Sequence, residues 1–392
     1  MLKVLIFAPL ALEYGRGGEI SAIELAAGLQ RFYKITLVDT NRSFGERVLS
    51  KQVISKKLKG VRRSDQIKFA IIKLFDKNLD FPYPWEIVKL FKIVKNNDII
   101  YTSVSNFKTD LLFMISSLLY RRAQFIVGYR KPLHSDKRFS LYNFKYRLSI
   151  LFFSLFKKRI YHHTISLHAK KFLDNFYDPD KVFHIIHGIE LENYVGNALK
   201  KKENNTLKFI YVGYLDDVHK GVGVLLNAIE QLIEKNRGLN ILFEFCGIGP
   251  LESKLRKLEG KFPRQLKYNG YVSNNEISKY YKRCDVLLFP SRREPFGRVI
   301  IEALAANLLI ICSKTFGSYE ILSDKDFAFF FLEFSQEAII EKICEIYDLW
   351  IDNPEKFKRL KISAKEYAFQ NYSFSKELEM FKTLITEIRK NK

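Results

Sequence analysis

The sequence predicts an α/β protein built from two Rossmann-like domains, and three observations carry that prediction. The chain has 392 residues, more than one hydrophobic core organises, and 47% of them are apolar with 15% aromatic, enough to fill two cores. Its first forty residues read as a βαβ unit. An alternation of strand-like and helix-like segments then stops in a polar stretch after residue 192 and starts afresh at Leu207.

The opening unit comprises the β-branched run Lys3–Ala8, the turn Gly15-Arg16-Gly17-Gly18, apolar Ile20, Ile23 and Ala27 at helical spacing, and a strand at Ile35–Val38. Strand-like runs follow at Asp98–Thr102, Gln124–Tyr129, Thr164–Ser166 and Val182–Ile186. The helical stretches between them imply a parallel sheet covered on both faces. Asn193–Asn205, with Lys200-Lys201-Lys202, reads as a linker. Beyond it, strands are expected at Leu207–Gly213, Ile241–Gly247, Leu266–Tyr271, Asp285–Pro290, Leu309–Ser313 and Phe327–Leu332, and a final helix at Lys376–Lys390. The division is thus 1–192, a linker at 193–206, a second domain at 207–370 and a C-terminal helix at 371–392.

The formal charge of +22 is uneven: residues 1–200 hold 34 basic against 17 acidic side chains, residues 201–392 hold 31 against 26. Basic and apolar residues interleave from Lys137-Arg138-Phe139 through Ile150-Leu151-Phe152-Phe153 to Lys157-Lys158-Arg159, a pattern that suits an anionic bilayer surface. Basic surfaces common to a Lys-rich proteome would read the same way. No nucleic-acid recognition motif accompanies the charge, and no apolar run reaches the ~18 residues a membrane-crossing helix needs. Cys246, Cys284, Cys312 and Cys344 show no metal-binding or redox spacing, and the opening residues lack a secretory leader's pattern. They are expected to be buried free thiols in a reducing compartment.

The most informative segment follows the strand at Asp285–Phe289. In Pro290-Ser291-Arg292-Arg293-Glu294-Pro295-Phe296-Gly297 and the helix Arg298–Ala306, two carboxylates, Glu294 and Glu302, straddle a helix N-terminus. The backbone N–H groups of Phe296 and Gly297 between them suit an anionic or polyhydroxylated ligand. A purely structural reading makes Glu302 a solvated helix residue and Glu294 a first-turn charge. The segment resembles the Glu-x7-Glu signature of the large retaining glycosyltransferase family that includes sucrose synthases, bacterial mannosyltransferases and lipopolysaccharide or capsule transferases. Five further segments are similar to that family's motifs in the same order: Gly17-Gly18, His187-Gly188-Ile189-Glu190, Val212-Gly213 through Lys220-Gly221, Cys246-Gly247-Ile248-Gly249-Pro250, and Gly270-Tyr271-Val272.

The resemblance implies the GT-B architecture: two Rossmann-like domains facing across a cleft, the first for the acceptor, the second for a nucleoside-diphosphate sugar, with the last helix crossing back to the first. It implies that Glu294 binds sugar hydroxyls, Glu302 the ribose, Phe296 and Gly297 the sugar and phosphate through N–H groups, and Lys220 the diphosphate. Gly17, Gly18, Gly213 and Gly247 would let backbone approach the donor. Two departures stand out. Tyr214 occupies a position where relatives carry Arg, leaving Arg298, Arg292 or Arg293 to supply that charge. The strand end where relatives often place a His reads Val127-Gly128-Tyr129-Arg130, so that Arg130 or His134 would reach the reacting sugar.

No metal is expected. His162-His163 lies in a strand, where neighbours point to opposite faces, and Asp216-Asp217 lacks Asp-x-Asp spacing. The co-substrate is the nucleotide sugar, and the expected activity is metal-independent, retaining transfer to a glycan or lipid-linked acceptor in cell-surface polysaccharide biosynthesis, by a cytoplasmic protein at the inner membrane face. Two rivals remain. A nicotinamide-dependent oxidoreductase would use the first glycines and Asp39, but Gly15-x-Gly17-x-x-Ile20 places a bulky residue at the third position. A non-catalytic sugar- or membrane-binding protein would keep the fold and lose the site, which intact Glu294, Glu302 and Lys220 oppose.

Overall fold

The computed structural model describes residues 1–7, 17–39, 67–71, 84–103, 107–120, 122–129, 148, 150–154, 160–195, 206–236 and 238–390. They form two compact units, Met1–Ile186 with Leu378–Lys392, and His187–Glu377.

In the first unit the strands are β1 (Lys3–Phe7), β2 (Lys34–Asp39), β3 (Ile67–Ile71), β4 (Ile99–Thr102), β5 (Gln124–Tyr129), β6 (Ile160–Thr164) and β7 (Val182–His184), and the helices α1 (Gly17–Leu29), α2 (Pro84–Lys95), α3 (Phe107–Leu119) and α4 (Leu167–Leu173). One parallel sheet results, ordered β3-β2-β1-β4-β5-β6-β7. Strands β4, β5 and β6 are buried from end to end, as strands covered on both faces must be. Leu5, Phe7, Leu90, Phe113, Phe125, Val127 and Phe153 form the core on one face. The sequence placed β6 at Thr164–Ser166. It ends at Thr164 because the Ser166 hydroxyl accepts the Ala169 N–H and starts α4. His162 and His163 both lie in β6; His162 stacks on Tyr177 at 3.6 Å, whereas His163 Nδ1 meets the Tyr101 hydroxyl at 3.0 Å.

The second unit holds β8 (Leu207–Val212), β9 (Ile241–Cys246), β10 (Leu266–Tyr268), β11 (Val286–Phe289), β12 (Leu309–Ser313) and β13 (Ala328–Phe331). Its helices are α5 (Val222–Lys235), α6 (Glu252–Lys261), α7 (Ile277–Tyr281), α8 (Arg298–Ala305), α9 (Phe316–Leu322), α10 (Gln336–Asp352) and α11 (Pro354–Asn371). Its parallel sheet runs β10-β9-β8-β11-β12-β13, the doubly wound order in which the first strand sits mid-sheet and the chain reverses direction at the fourth.

The division falls before the polar stretch, not within it. Leu191 and Tyr194 are buried in a 3-10 turn (Leu191–Tyr194), and Tyr194 packs on Tyr281 of α7, so this segment belongs to the second unit. At the other end, α12 (Phe374–Lys390) begins two residues earlier than its apolar spacing suggested, and from Leu378 onward it is part of the first unit, with Phe381 against Tyr101 and His163. Cys246, Cys284 and Cys312 are buried free thiols and Cys344 is half-buried; burial pushes the Cys246 thiol up to about 12. Among the described residues, no helix is long and apolar enough to cross a membrane.

Candidate active site

In a doubly wound sheet a ligand sits where strand order reverses, because the loops leaving the two central strands part there. In the second unit that point lies between β8 and β11, which are neighbours in the sheet.

The loop leaving β8 is organised by Asp216. Its carboxylate accepts the N–H groups of His219 at 2.9 Å and Lys220 at 2.8 Å. Partial burial opposes the charge, but those two N–H bonds outweigh it and hold Asp216 below the usual carboxylate range. Asp217 accepts the Val224 N–H in the first turn of α5 and faces Arg292 at 3.5 Å. Gly221 precedes α5 at φ 64°, and a Cβ there would lie 2.2 Å from the Pro290 carbonyl oxygen. The absent side chain lets the β8 and β11 loops touch. Lys220 thereby reaches a residue 74 positions away, its Nζ donating to Glu294 Oε2 at 2.8 Å, and lies over the Phe289 ring.

The loop leaving β11 is gripped from two sides. The Arg292 and Arg293 N–H groups donate to the His219 carbonyl at 2.8 and 3.2 Å. On the opposite side the Gly317 N–H donates to the Glu294 carbonyl at 3.0 Å, and a Cβ on Gly317 would stand 2.6 Å from the Phe296 backbone. Gly317 sits in α9, whose start is fixed by the reciprocal capping of Thr315 and Ser318. Phe296 is buried against the rings of His187 and Tyr372.

Gly297 then opens α8 at φ 100° and offers no side-chain cap, unlike the Thr, Ser and Asn that cap α9, α10 and α11. Glu302, one turn into α8, is 8% exposed. Its Oε1 accepts from Arg298 Nε at 2.9 Å and its Oε2 from the Tyr281 hydroxyl at 3.1 Å. Burial and the adjacent Glu302 charge push the Tyr281 pKa well up, which keeps that hydroxyl a donor.

The structure thus pairs Lys220 with Glu294 and Arg298 with Glu302, and Phe296 and Gly297 lie in the chain between the two carboxylates. Gly213 and Gly247 meet for a packing reason: a Cβ on Gly247 would fall 1.8 Å from the Gly213 carbonyl oxygen, so the β8 and β9 loops run backbone to backbone. Arg298, one possible substitute for the Arg that Tyr214 replaces, is engaged with Glu302 and His187, and Arg292 with Asp217 and the Phe334 ring. Gly17 and Gly18 open α1 in the first unit, where first-turn N–H groups have no intrahelical partner. Arg130 and His134 lie outside the described residues. Sequence reasoning missed Gly317 and Tyr281. Gly317 had a weak signal, a glycine just past the strand at Leu309–Ser313, and Tyr281 had none.

Residues 197–367 match the family described as glycosyl transferases group 1. Over 172 residues the chain is 30% identical to glycogen synthase of Thermodesulfovibrio yellowstonii, a stretch covering 43% of this chain and 33% of that protein. Over 192 residues it is 28% identical to an uncharacterized glycosyltransferase of Haemophilus influenzae, covering 48% and 51%. The chain therefore spans a third to a half of these relatives' length. In fold the likeness extends over the length of the chain: the crystal structure of HepE of Anabaena in complex with UDP aligns with TM-score 0.75 at 15% identity, over 99% of this chain and 100% of that one.

Proposed function

We propose that this chain, which has the GT-B fold and carries a glycosyl transferases group 1 domain in its second unit, is a retaining, metal-independent glycosyltransferase that moves a sugar from a nucleoside diphosphate to a glycan or lipid-linked acceptor. One observation carries the reading: the Lys220–Glu294 ion pair lies at the strand-order reversal of the second sheet, beside a helix that starts at Gly297 and holds Glu302 one turn in. The UDP bound by the HepE neighbour supports the same ligand class.

On donor entry the diphosphate takes Lys220 from Glu294, and Glu294 turns to the hydroxyls of the sugar. The Phe296 and Gly297 N–H groups add to the field at the phosphate. Glu302 keeps acceptor capacity beside its bonds from Arg298 and Tyr281 and takes the ribose hydroxyls. The acceptor hydroxyl oxygen attacks the anomeric carbon on the face the nucleotide leaves. The bond to the β-phosphate oxygen breaks, and the hydroxyl proton passes to that departing phosphate. Lys220 and the oriented N–H groups lower the barrier where negative charge grows. Asp216 and Asp217 are engaged in shaping the β8 loop, which supports charge neutralisation by Lys220 without a metal. The acceptor is proposed to belong to cell-surface polysaccharide assembly, with an anionic membrane surface as partner of the basic first unit.

The test is thermal melting of the wild type, Lys220→Ala and Glu302→Ala against a panel of nucleoside diphosphates and their sugars. One nucleotide family is expected to raise the wild-type melting temperature. Loss of a hydrogen bond to a charged group weakens binding by roughly ten- to a hundredfold in each variant. Stabilisation by a nicotinamide dinucleotide, with none by any nucleoside diphosphate, would sink the proposal.

A further inference from the structure

We infer that His187 is a positioning residue for Glu302, holding that carboxylate on its ligand through Arg298; the inference rests on the ribose-binding reading of Glu302 given above. His187 is the first residue of the second unit and Glu377 its last, and both side chains are buried. The backbone around them is pinned. The Ile189 N–H donates to the Tyr372 carbonyl at 3.0 Å, the Phe374 N–H to the Ile189 carbonyl at 2.9 Å, and the Gly188 N–H to Glu377 Oε2 at 3.0 Å. A Cβ on Gly188 would lie 2.5 Å from the Ser373 carbonyl oxygen, so the two segments cannot part without losing these bonds.

This rigid base aims the imidazole at the donor helix. His187 Nε2 lies 3.4 Å from Arg298 Nη1, and Nδ1 lies 3.7 Å from Glu377 Oε2. A guanidinium only donates, so Nε2 is the acceptor and the ring proton sits on Nδ1, toward the Glu377 carboxylate. Arg298 is thereby engaged by His187 through Nη1 and by Glu302 through Nε. The contact with His187 adds to the grip of the ion pair. On a helix, a base one turn ahead of an acid is the less favourable order of an i,i+4 pair. Fixing Arg298 through His187 therefore adds orientation to a carboxylate that also takes the Tyr281 hydroxyl. The His187 ring also packs on Phe296 at 5.6 Å between centroids, so one side chain steadies two residues of the donor loop and helix.

The experiment is isothermal titration of the nucleoside diphosphates and their sugars into wild type, His187→Ala, His187→Asn and His187→Gln, with thermal melts run alongside. Gln places an amide oxygen where Nε2 meets Arg298; Asn reaches only the Nδ1 position. Loss of the Nε2 acceptor is expected to weaken nucleotide binding about tenfold in the Ala and Asn variants, while Gln stays within about threefold of wild type. With the donor identified, the same split is expected in its KM, with kcat at saturating donor little changed. Equal losses in Gln and Ala, or wild-type affinity in all three, overturn the positioning role. A wild type that binds no nucleotide overturns the donor-site reading and this inference with it, an outcome recognisable because it does not depend on the variants.

Discussion

At the scale of single residues, the buried histidines give the fold a measurable acid sensitivity. His162 is fully buried against Tyr177, with Nδ1 at 3.2 Å from the Tyr129 hydroxyl, and burial, aided by nearby Lys181, takes its pKa down to about 3 from the usual 6.5. Below pH 6.5 the unfolded chain binds a proton that the fold refuses. Stability is therefore expected to fall as pH drops from about 6.5 toward 3, at a limiting slope of about 1.4 kcal/mol per pH unit for this group. His184, whose pKa burial also lowers, adds to the trend. His162→Gln keeps a polar partner for Tyr129 and removes one titration, so denaturant unfolding of the variant at pH 6.5, 5.5 and 4.5 should show a shallower loss. Parallel slopes in variant and wild type would contradict it. His162 and His163 also show why β6 was misplaced: polar letters interrupt the apolar run, and only burial, which a sequence does not display, makes them core residues. Glu294 and Glu302 stood out because their spacing is local, and Lys220 because its own short segment resembles a family motif. Tyr281 did not, because it meets Glu302 only through the packing of α7 beside α8.

At the scale of elements, the strands buried on both faces were legible as continuous apolar runs, and the βαβ order gave the parallel sheets. What spacing could not supply is how the loops beyond the strand ends lock together. Gly317 illustrates this: its N–H holds the Glu294 carbonyl, and its missing Cβ lets α9 lie against the Phe296 backbone, contacts created by the pairing of β11 with β12. Gly317→Ala forces a Cβ to within 2.6 Å of backbone atoms that have no flexible end to move. The expected cost is about 2 kcal/mol or more, a fall of roughly 4–8 °C in Tm for a unit of this size, together with weaker nucleotide binding because the Glu294 loop shifts. Gly260→Ala is the control. That glycine lies in α6 with nothing within 4 Å of an added Cβ, so alanine there should be neutral or stabilise by up to about 1 kcal/mol. Similar melting temperatures for the two variants would mean that the α9 contact does not fix the loop.

At the scale of the whole molecule, the division of charge was read directly from the sequence, whereas the surface that displays it became visible only in the fold. The first 200 residues carry twice as many basic as acidic side chains, and the interleaved segment from Lys137 to Arg159 lies largely outside the described residues. The described part of the first unit adds its own evidence. Val88 on α2 and Leu118 and Leu119 on α3 are exposed, with Lys89, Lys92 and Lys95 exposed along α2 and Arg122 just beyond α3. Side chains of this kind dip into a lipid interface while the ammonium groups stay at the headgroups. Each basic residue near an anionic surface is worth about 1 kcal/mol, and that attraction decays within a Debye length of about 8 Å at physiological salt. The protein is therefore expected to sediment with phosphatidylglycerol-containing vesicles at low salt and to release progressively as salt rises, with little binding to phosphatidylcholine alone. Lys89→Glu with Lys92→Glu should shift the release to lower salt, whereas Leu118→Ser with Leu119→Ser should lower the salt-resistant remainder. The two pairs separate attraction from insertion. Binding that ignores lipid charge, or no binding at physiological salt, would leave the basic first unit without a membrane partner and direct the search for its anionic ligand to a soluble acceptor.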